Sequence, residues 1–96
     1  MNTNNDLKNS VAIVEQTPKG HKFIKVNQTQ MMHKLHSHCI CDSCWGAMFD
    51  SYLIPVLNSA YCPHCFKAWS DKALYYEEDR ACEDAISELF LKQLNA

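Results

Sequence analysis

The sequence predicts a small α+β domain that depends on a bound metal, with a β-hairpin near its N-terminal end and a long helix at its C-terminal end. Three observations carry this prediction. Two Cys-x-x-Cys pairs, Cys41/Cys44 and Cys62/Cys65, stand 17 residues apart, a spacing that one supersecondary unit closes. Upstream, two short apolar, β-branched runs flank Thr17-Pro18-Lys19-Gly20. Downstream, no glycine or proline interrupts residues 66–96, and apolar side chains recur there at helical intervals.

At 96 residues the chain is expected to form a single domain, residues 11–96, behind a polar leader, residues 1–10, expected to be disordered. A chain this short buries proportionally little surface, so a staple is expected, either metal or disulfide. The N-terminus has no basic start and no apolar core of a secretory signal, and no apolar run reaches membrane-spanning length. A cytoplasmic, reducing setting follows, in which the six cysteines bind metal more readily than they pair. The net charge of −2 hides an asymmetry. Residues 1–40 carry five lysines against two acids, and residues 41–96 carry four basic residues against nine acids. Opposite faces of this kind suit docking onto a charged protein partner, and also occur as plain solvated surface.

Taken in order, residues 11–16 and 21–27 read as the two arms of the hairpin, with proline and glycine placed for the turn. The second arm carries Lys22 and Lys25. Without interleaved aromatics and arginines this is a weak nucleic-acid signature. Residues 28–35 fit a short helix or a loop equally, with Met31, Met32 and Leu35 turned inward. Trp45, Met48, Phe49, Tyr52 and Leu53 fall at i, i+3, i+4, i+7 and i+8, which predicts an amphipathic helix ending before Pro55. Val56-Leu57 would begin a short strand toward Tyr61. Ser70 or Asp71 would cap a helix of about 20 residues. Its stripe runs through Leu74, Glu78, Ala81, Cys82, Ala85, Ile86, Leu89, Phe90, Gln93 and Leu94, with Glu78 and Gln93 the only polar members, which makes Cys82 a core residue. Glu77, Glu78 and Asp79 fall near its first turns, where they complement the helix dipole.

The simplest metal site uses Cys41, Cys44, Cys62 and Cys65. Two tight turns offering paired thiolates supply the four-sulfur tetrahedron that structural zinc prefers, with no open position for substrate. One zinc is expected. His36, His38 and Cys39 compete for ligand positions: His36 and His38 could join Cys62 and Cys65, or a second zinc could draw on His33, His36, His38 and Cys39. His64 lies inside the last pair.

The run His36-x-His38-x2-Cys41-x2-Cys44, then an aromatic-bearing helix, then Cys62-Pro63-x-Cys65 resembles the latter two thirds of a RING finger, over about 30 residues. Residues 1–35 contain no cysteine, so the first knuckle of a RING is missing, and a one-zinc SP-RING or U-box-like relative fits that gap. The resemblance implies His36, His38, Cys62 and Cys65 as one site, and recruitment of a charged ubiquitin-like carrier with no catalytic nucleophile here. The same cysteine spacing is similar to the zinc finger of the DksA/TraR family, which acts on bacterial RNA polymerase, although the long N-terminal coiled coil of that family is absent. Cys62-Pro63-His64-Cys65 also looks like the redox motif of DsbA-type oxidoreductases. A thioredoxin fold needs strands after that helix, and none is predicted.

The expectation is therefore a treble-clef or RING-like zinc domain acting as a non-enzymatic protein-interaction module. It would be a regulator of transcription or host machinery, with the look of a bacterial or phage accessory protein. Its candidate contact surfaces are the basic hairpin, the acidic helix face, and whatever the core leaves uncovered of Trp45, Phe49 and Trp69. A nucleic-acid-binding finger and a thiol oxidoreductase are the alternatives; a membrane partner is not expected.

Overall fold

The computed structural model describes residues 12–96; the expected leader, residues 1–10, and Val11 of the hairpin lie outside the described residues. The elements run β1 (Glu15–Gln16), β2 (Lys22–Asn27), α1 (Gln28–His33), β3 (Asp50–Ile54), β4 (Ser59–Tyr61), α2 (Pro63–Lys72), a 3-10 turn (Glu77–Asp79) and α3 (Arg80–Leu94). The four strands make one antiparallel sheet in the order β1-β2-β3-β4.

The hairpin forms, pairing Glu15 with Phe23 and Gln16 with Lys22. Its turn closes through Gly20 N–H to the Thr17 carbonyl (2.9 Å) and Thr17 N–H to the His21 carbonyl (2.8 Å). Gly20 sits at φ +103°, where a side chain would be strained. The first arm is shorter than expected. Ala12 exchanges two hydrogen bonds with the Asn95 side chain instead (3.0 and 3.3 Å), which ties it to the end of α3.

Alternation along β2 turns Ile24 and Val26 inward, where they meet Leu53, Met31, Met48, Cys39, Cys41 and Leu94. Helix α1 forms because Asn27 and Gln30 cap it reciprocally, each side chain accepting from the other's backbone N–H at 2.8 Å. Met31 is buried and Leu35 half-buried, as expected, but Met32 points out, because one turn of helix presents a single face to the core.

The helix expected over Trp45–Leu53 is absent. Residues 39–48 instead fold as a narrow two-stranded arm, with Ile40 bridging Ala47, Cys41 N–H on the Gly46 carbonyl and Met48 N–H on the Cys39 carbonyl (both 2.8 Å). Trp45 has φ +65°, outside helical space. The chain then enters β3, which pairs with β2 and β4 and buries Ser51, Leu53 and Ile54. Long-range strand pairing overrides the helical spacing. Met48 and Leu53 are buried, while Trp45 and Phe49 are each 77 % exposed. The strand expected at Val56-Leu57 is also displaced. Residues 55–58 are a turn closed by Leu57 N–H to Ile54 and Asn58 N–H to Pro55, and β4 begins at Ser59.

The helix of about 20 residues expected from Ser70 or Asp71 is interrupted: its expected start falls in the last turn of a separate helix, α2, and the chain becomes α-helical again only at Arg80, in α3. Helix α2 starts at Pro63 and stops at Lys72, where Ala73 turns extended (φ −67°, ψ 141°). The break lets Tyr75 pack edge-on against His21 (5.5 Å) and beside Gly20, and Arg80 Nε donates to its hydroxyl (2.9 Å). The acids at Glu77–Asp79 form the 3-10 turn entering α3. The inward face of α3 is Glu83, Ser87 and Leu94, with Phe90 and Leu91 partly covered, so the expected stripe is rotated. Cys82 is exposed, not core, and so is Leu89. Glu83 takes the inward position because its carboxylate accepts the Lys22 N–H (2.8 Å), and the Ser87 hydroxyl donates to its carbonyl (2.8 Å).

Candidate metal centre

Two turns, one on each side of the β3–β4 hairpin, deliver the four expected sulfurs to one place. The first turn lies at the tip of the 39–48 arm and is held by Trp45 N–H to the Cys41 carbonyl (2.9 Å). Asp42 ties it to β4, donating its N–H to the Ala60 carbonyl (2.9 Å) and accepting the Ala60 N–H on its carboxylate (2.7 Å). A β-carbon on Gly46 would lie 3.4 Å from the Cys44 sulfur, so a small residue suits the turn. The second turn follows β4 directly. Cys62 is the N-cap of α2 and its sulfur accepts the Cys65 N–H (3.5 Å), with Pro63 in the first helical turn.

The sulfurs of Cys41, Cys44, Cys62 and Cys65 all lie within 4.8 Å of one another, the only such group of potential metal ligands among the described residues. The Cys44–Cys62 separation is 3.9 Å. A tetrahedron with metal–sulfur bonds of about 2.3 Å has edges of about 3.8 Å, so this edge already has the length that a bound ion would set. Cys41 is buried, Cys62 and Cys65 are half-buried and Cys44 is exposed. The donor set and its spacing fit one tetrahedrally bound metal ion.

The electrostatics lead to the same point. Burial pushes the Cys41 thiol up, but backbone N–H groups of Cys44 (3.5 Å), Cys62 (3.3 Å) and Ser43 (3.4 Å) aim at its sulfur and outweigh burial, holding it down to about 6. Cys65 goes the other way. A hydrogen bond with Ser43 lowers it, but burial and the neighbouring sulfurs of Cys62, Cys44 and Cys41 raise it to about 12. Burial, then the charges of Cys41, Asp42 and Cys65, also raise the Tyr61 phenol. Four sulfurs at these distances could share one metal ion, which would take the place of the protons that remain on them.

The other candidate ligands are elsewhere. His33, His36, His38 and His64 are exposed and outside the sulfur group. Cys39 is buried, its sulfur 4.0 Å from the Gln28 carbonyl. The set of His36 and His38 with Cys62 and Cys65 is not brought together; the second pair faces Cys41 and Cys44 instead. Sequence reading missed the tether at Asp42, for which no local signal exists. It also missed the double role of Cys62 as ligand candidate and helix cap, which a Cys-Pro step opening a helix does signal. Among the described residues no helix is long and apolar enough to cross a membrane. No family model, no curated protein and no solved structure matches this chain.

Proposed function

We propose that the chain is a non-enzymatic zinc-binding module that holds a rigid surface for a protein partner. The observation that carries the reading is the convergence of four sulfurs within 4.8 Å from two separate turns. Soft thiolates in a tetrahedral set favour zinc, and four protein ligands fill its coordination, which makes the metal structural. The chain order supports a treble-clef arrangement: a cysteine turn on a two-stranded arm, then the β3–β4 hairpin, then α2 supplying the last two sulfurs from its first turn.

The docking part of the reading rests on the arm. Cys39, Cys41 and Met48 face the core, while Ile40, Trp45, Ala47 and Phe49 are exposed. An apolar set with two uncovered aromatics beside a rigid metal centre suits a protein contact. The basic hairpin does less to favour nucleic acid, because Lys22 pairs with Asp84 and Lys25 lies over the Tyr52 ring.

Native mass spectrometry with and without chelator tests the metal, on the wild type and on a His36→Ala/His38→Ala variant. One zinc in both proteins is the expected result. No metal, or metal lost with the histidines, overturns the four-cysteine site. Affinity capture with Trp45→Ser/Phe49→Ser tests docking: a partner held by the wild type and lost from a zinc-loaded variant is expected, and equal capture overturns it.

A further inference from the structure

The four sulfurs differ in what surrounds them. Cys41 is fully buried and its sulfur receives three backbone N–H groups, which draws electron density from it and bars solvent. Cys62 is half-buried and receives the Cys65 N–H. Cys44 alone of the four is exposed, and its sulfur stands 3.9 Å from that of Cys62 on the opposite turn. A metal keeps a thiolate ionised at neutral pH, and an ionised, accessible sulfur with a second sulfur in reach is the arrangement that peroxides oxidise to a disulfide.

We propose that Cys44 is a site of peroxide oxidation, and that its oxidation exchanges the bound metal for a Cys44–Cys62 disulfide. The inference rests on the reading of the cluster as a zinc site. In the first step the Cys44 thiolate attacks one peroxide oxygen. An S–O bond forms, the O–O bond breaks, and the released hydroxide takes a proton to leave as water. The sulfur is then a sulfenic acid. In the second step the Cys62 thiolate attacks that sulfur. The S–S bond forms, the S–O bond breaks, and the departing hydroxide is protonated to a second water. Two thiolates lose two electrons in all, hydrogen peroxide gains them, and two protons are consumed. Only Cys41 and Cys65 remain as thiolates, too few to retain the ion, so zinc leaves.

The consequence follows from which turns are joined. The metal bridges the turn at the arm tip to the turn at the start of α2, and a Cys44–Cys62 bond bridges the same two turns. A bond within either Cys-x-x-Cys pair would leave the two turns joined by hydrogen bonds alone. Oxidation thus removes the ion while preserving the staple, and it alters the surface beside Trp45, which follows Cys44 directly in the chain.

The test uses the wild-type protein, since substituting a ligand would itself remove metal. Zinc content is first fixed by native mass spectrometry. Hydrogen peroxide is then titrated in, with a dimedone-type trap in one arm and peptide mapping of the cross-link in the other. Cys82, exposed and outside the cluster, serves as the internal reference thiol. The expected result is trapping at Cys44 ahead of Cys82, stoichiometric zinc release, and a Cys44–Cys62 cross-link that a reductant with added zinc reverses. Zinc retained while Cys82 is oxidised, first trapping at Cys65, or a cross-link within one Cys-x-x-Cys pair each overturns the proposal while leaving the zinc reading intact. A starting protein without metal overturns both.

Discussion

The backbone N–H of Cys62 points at the sulfur of Cys41, 3.3 Å away across the two turns. That contact knits the pairs together independently of any ion, and with the N–H groups of Ser43 and Cys44 it holds the Cys41 thiol down to about 6. Cys65, crowded by the other sulfurs, keeps its proton up to about 12 in the metal-free protein. Metal binding at neutral pH therefore expels at least the Cys65 proton. A reaction that releases protons is favoured as pH rises, so metal affinity climbs by at least about tenfold per pH unit around neutrality. Below about 6 the Cys41 proton must also be displaced, and the slope steepens by about another factor of ten per unit. Competition against a chromophoric chelator across this range checks both slopes; an affinity flat with pH would contradict the thiolate site.

Glu83 anchors α3 to the hairpin through one acceptor bond to the Lys22 N–H, 2.8 Å long and buried on the carboxylate side. Glu83→Ala leaves a backbone donor without its acceptor and is expected to lower unfolding stability by about 1–3 kcal/mol. Glu83→Gln keeps an oxygen in place and is expected to cost clearly less. Urea unfolding of the two variants separates the cases; equal losses would mean that the carboxylate charge, not the acceptor, fixes the helix.

What the sequence made legible was set by range. The cysteine pairs, the hairpin turn at Thr17–Gly20 and the β-branched run Phe23–Val26 are local patterns, and each forms nearly as read. The segment from Trp45 to Leu53 misled because its apolar spacing matches a helix, while the pairing that decides its fate, Ile24 with Leu53 and Lys25 with Tyr52, comes from a distant part of the chain. The break at Ala73 had no glycine or proline to mark it. It follows from the fit of Tyr75 against His21 and Gly20, again a contact across the fold. Cys82 and Glu83 exchanged expected places because the polar side chain has a backbone donor to meet inside.

The rearranged 45–53 segment gives a direct contrast. Trp45 and Phe49 are 77 % exposed, whereas Leu53 is buried in the core cluster. Leu53→Ala is expected to cost about 2–5 kcal/mol by lost burial and cavity formation. Trp45→Ala and Phe49→Ala are expected to fall within about 0.5 kcal/mol of wild type. Thermal or urea unfolding decides the matter; a large loss at Trp45 would restore the amphipathic helix.

Asn27 joins β2 to α1, its side chain accepting the Gln30 N–H at 2.8 Å while Gln30 returns the bond to the Asn27 N–H. Asn27→Ala is expected to cost about 1 kcal/mol, visible in the unfolding midpoint. Without its cap the single turn of α1 loosens and Met31 loses its fixed place beside the core.

Metal removal reaches further than the site, because Cys41 is itself a member of the core cluster with Ile24, Met48 and Leu53. Repulsion or protonation among uncompensated thiolates therefore opens the centre of the domain, not a peripheral loop. Chelation is expected to lower the melting temperature and to reduce both helical and sheet signals in circular dichroism together, with recovery on adding zinc. While the native state alone binds the ion, each tenfold rise in free zinc adds about 1.4 kcal/mol to unfolding stability, so the midpoint must climb with zinc concentration. A midpoint that ignores both chelator and zinc would mean that the sheet and α3 carry the fold unaided, and that the four sulfurs serve something other than its stability.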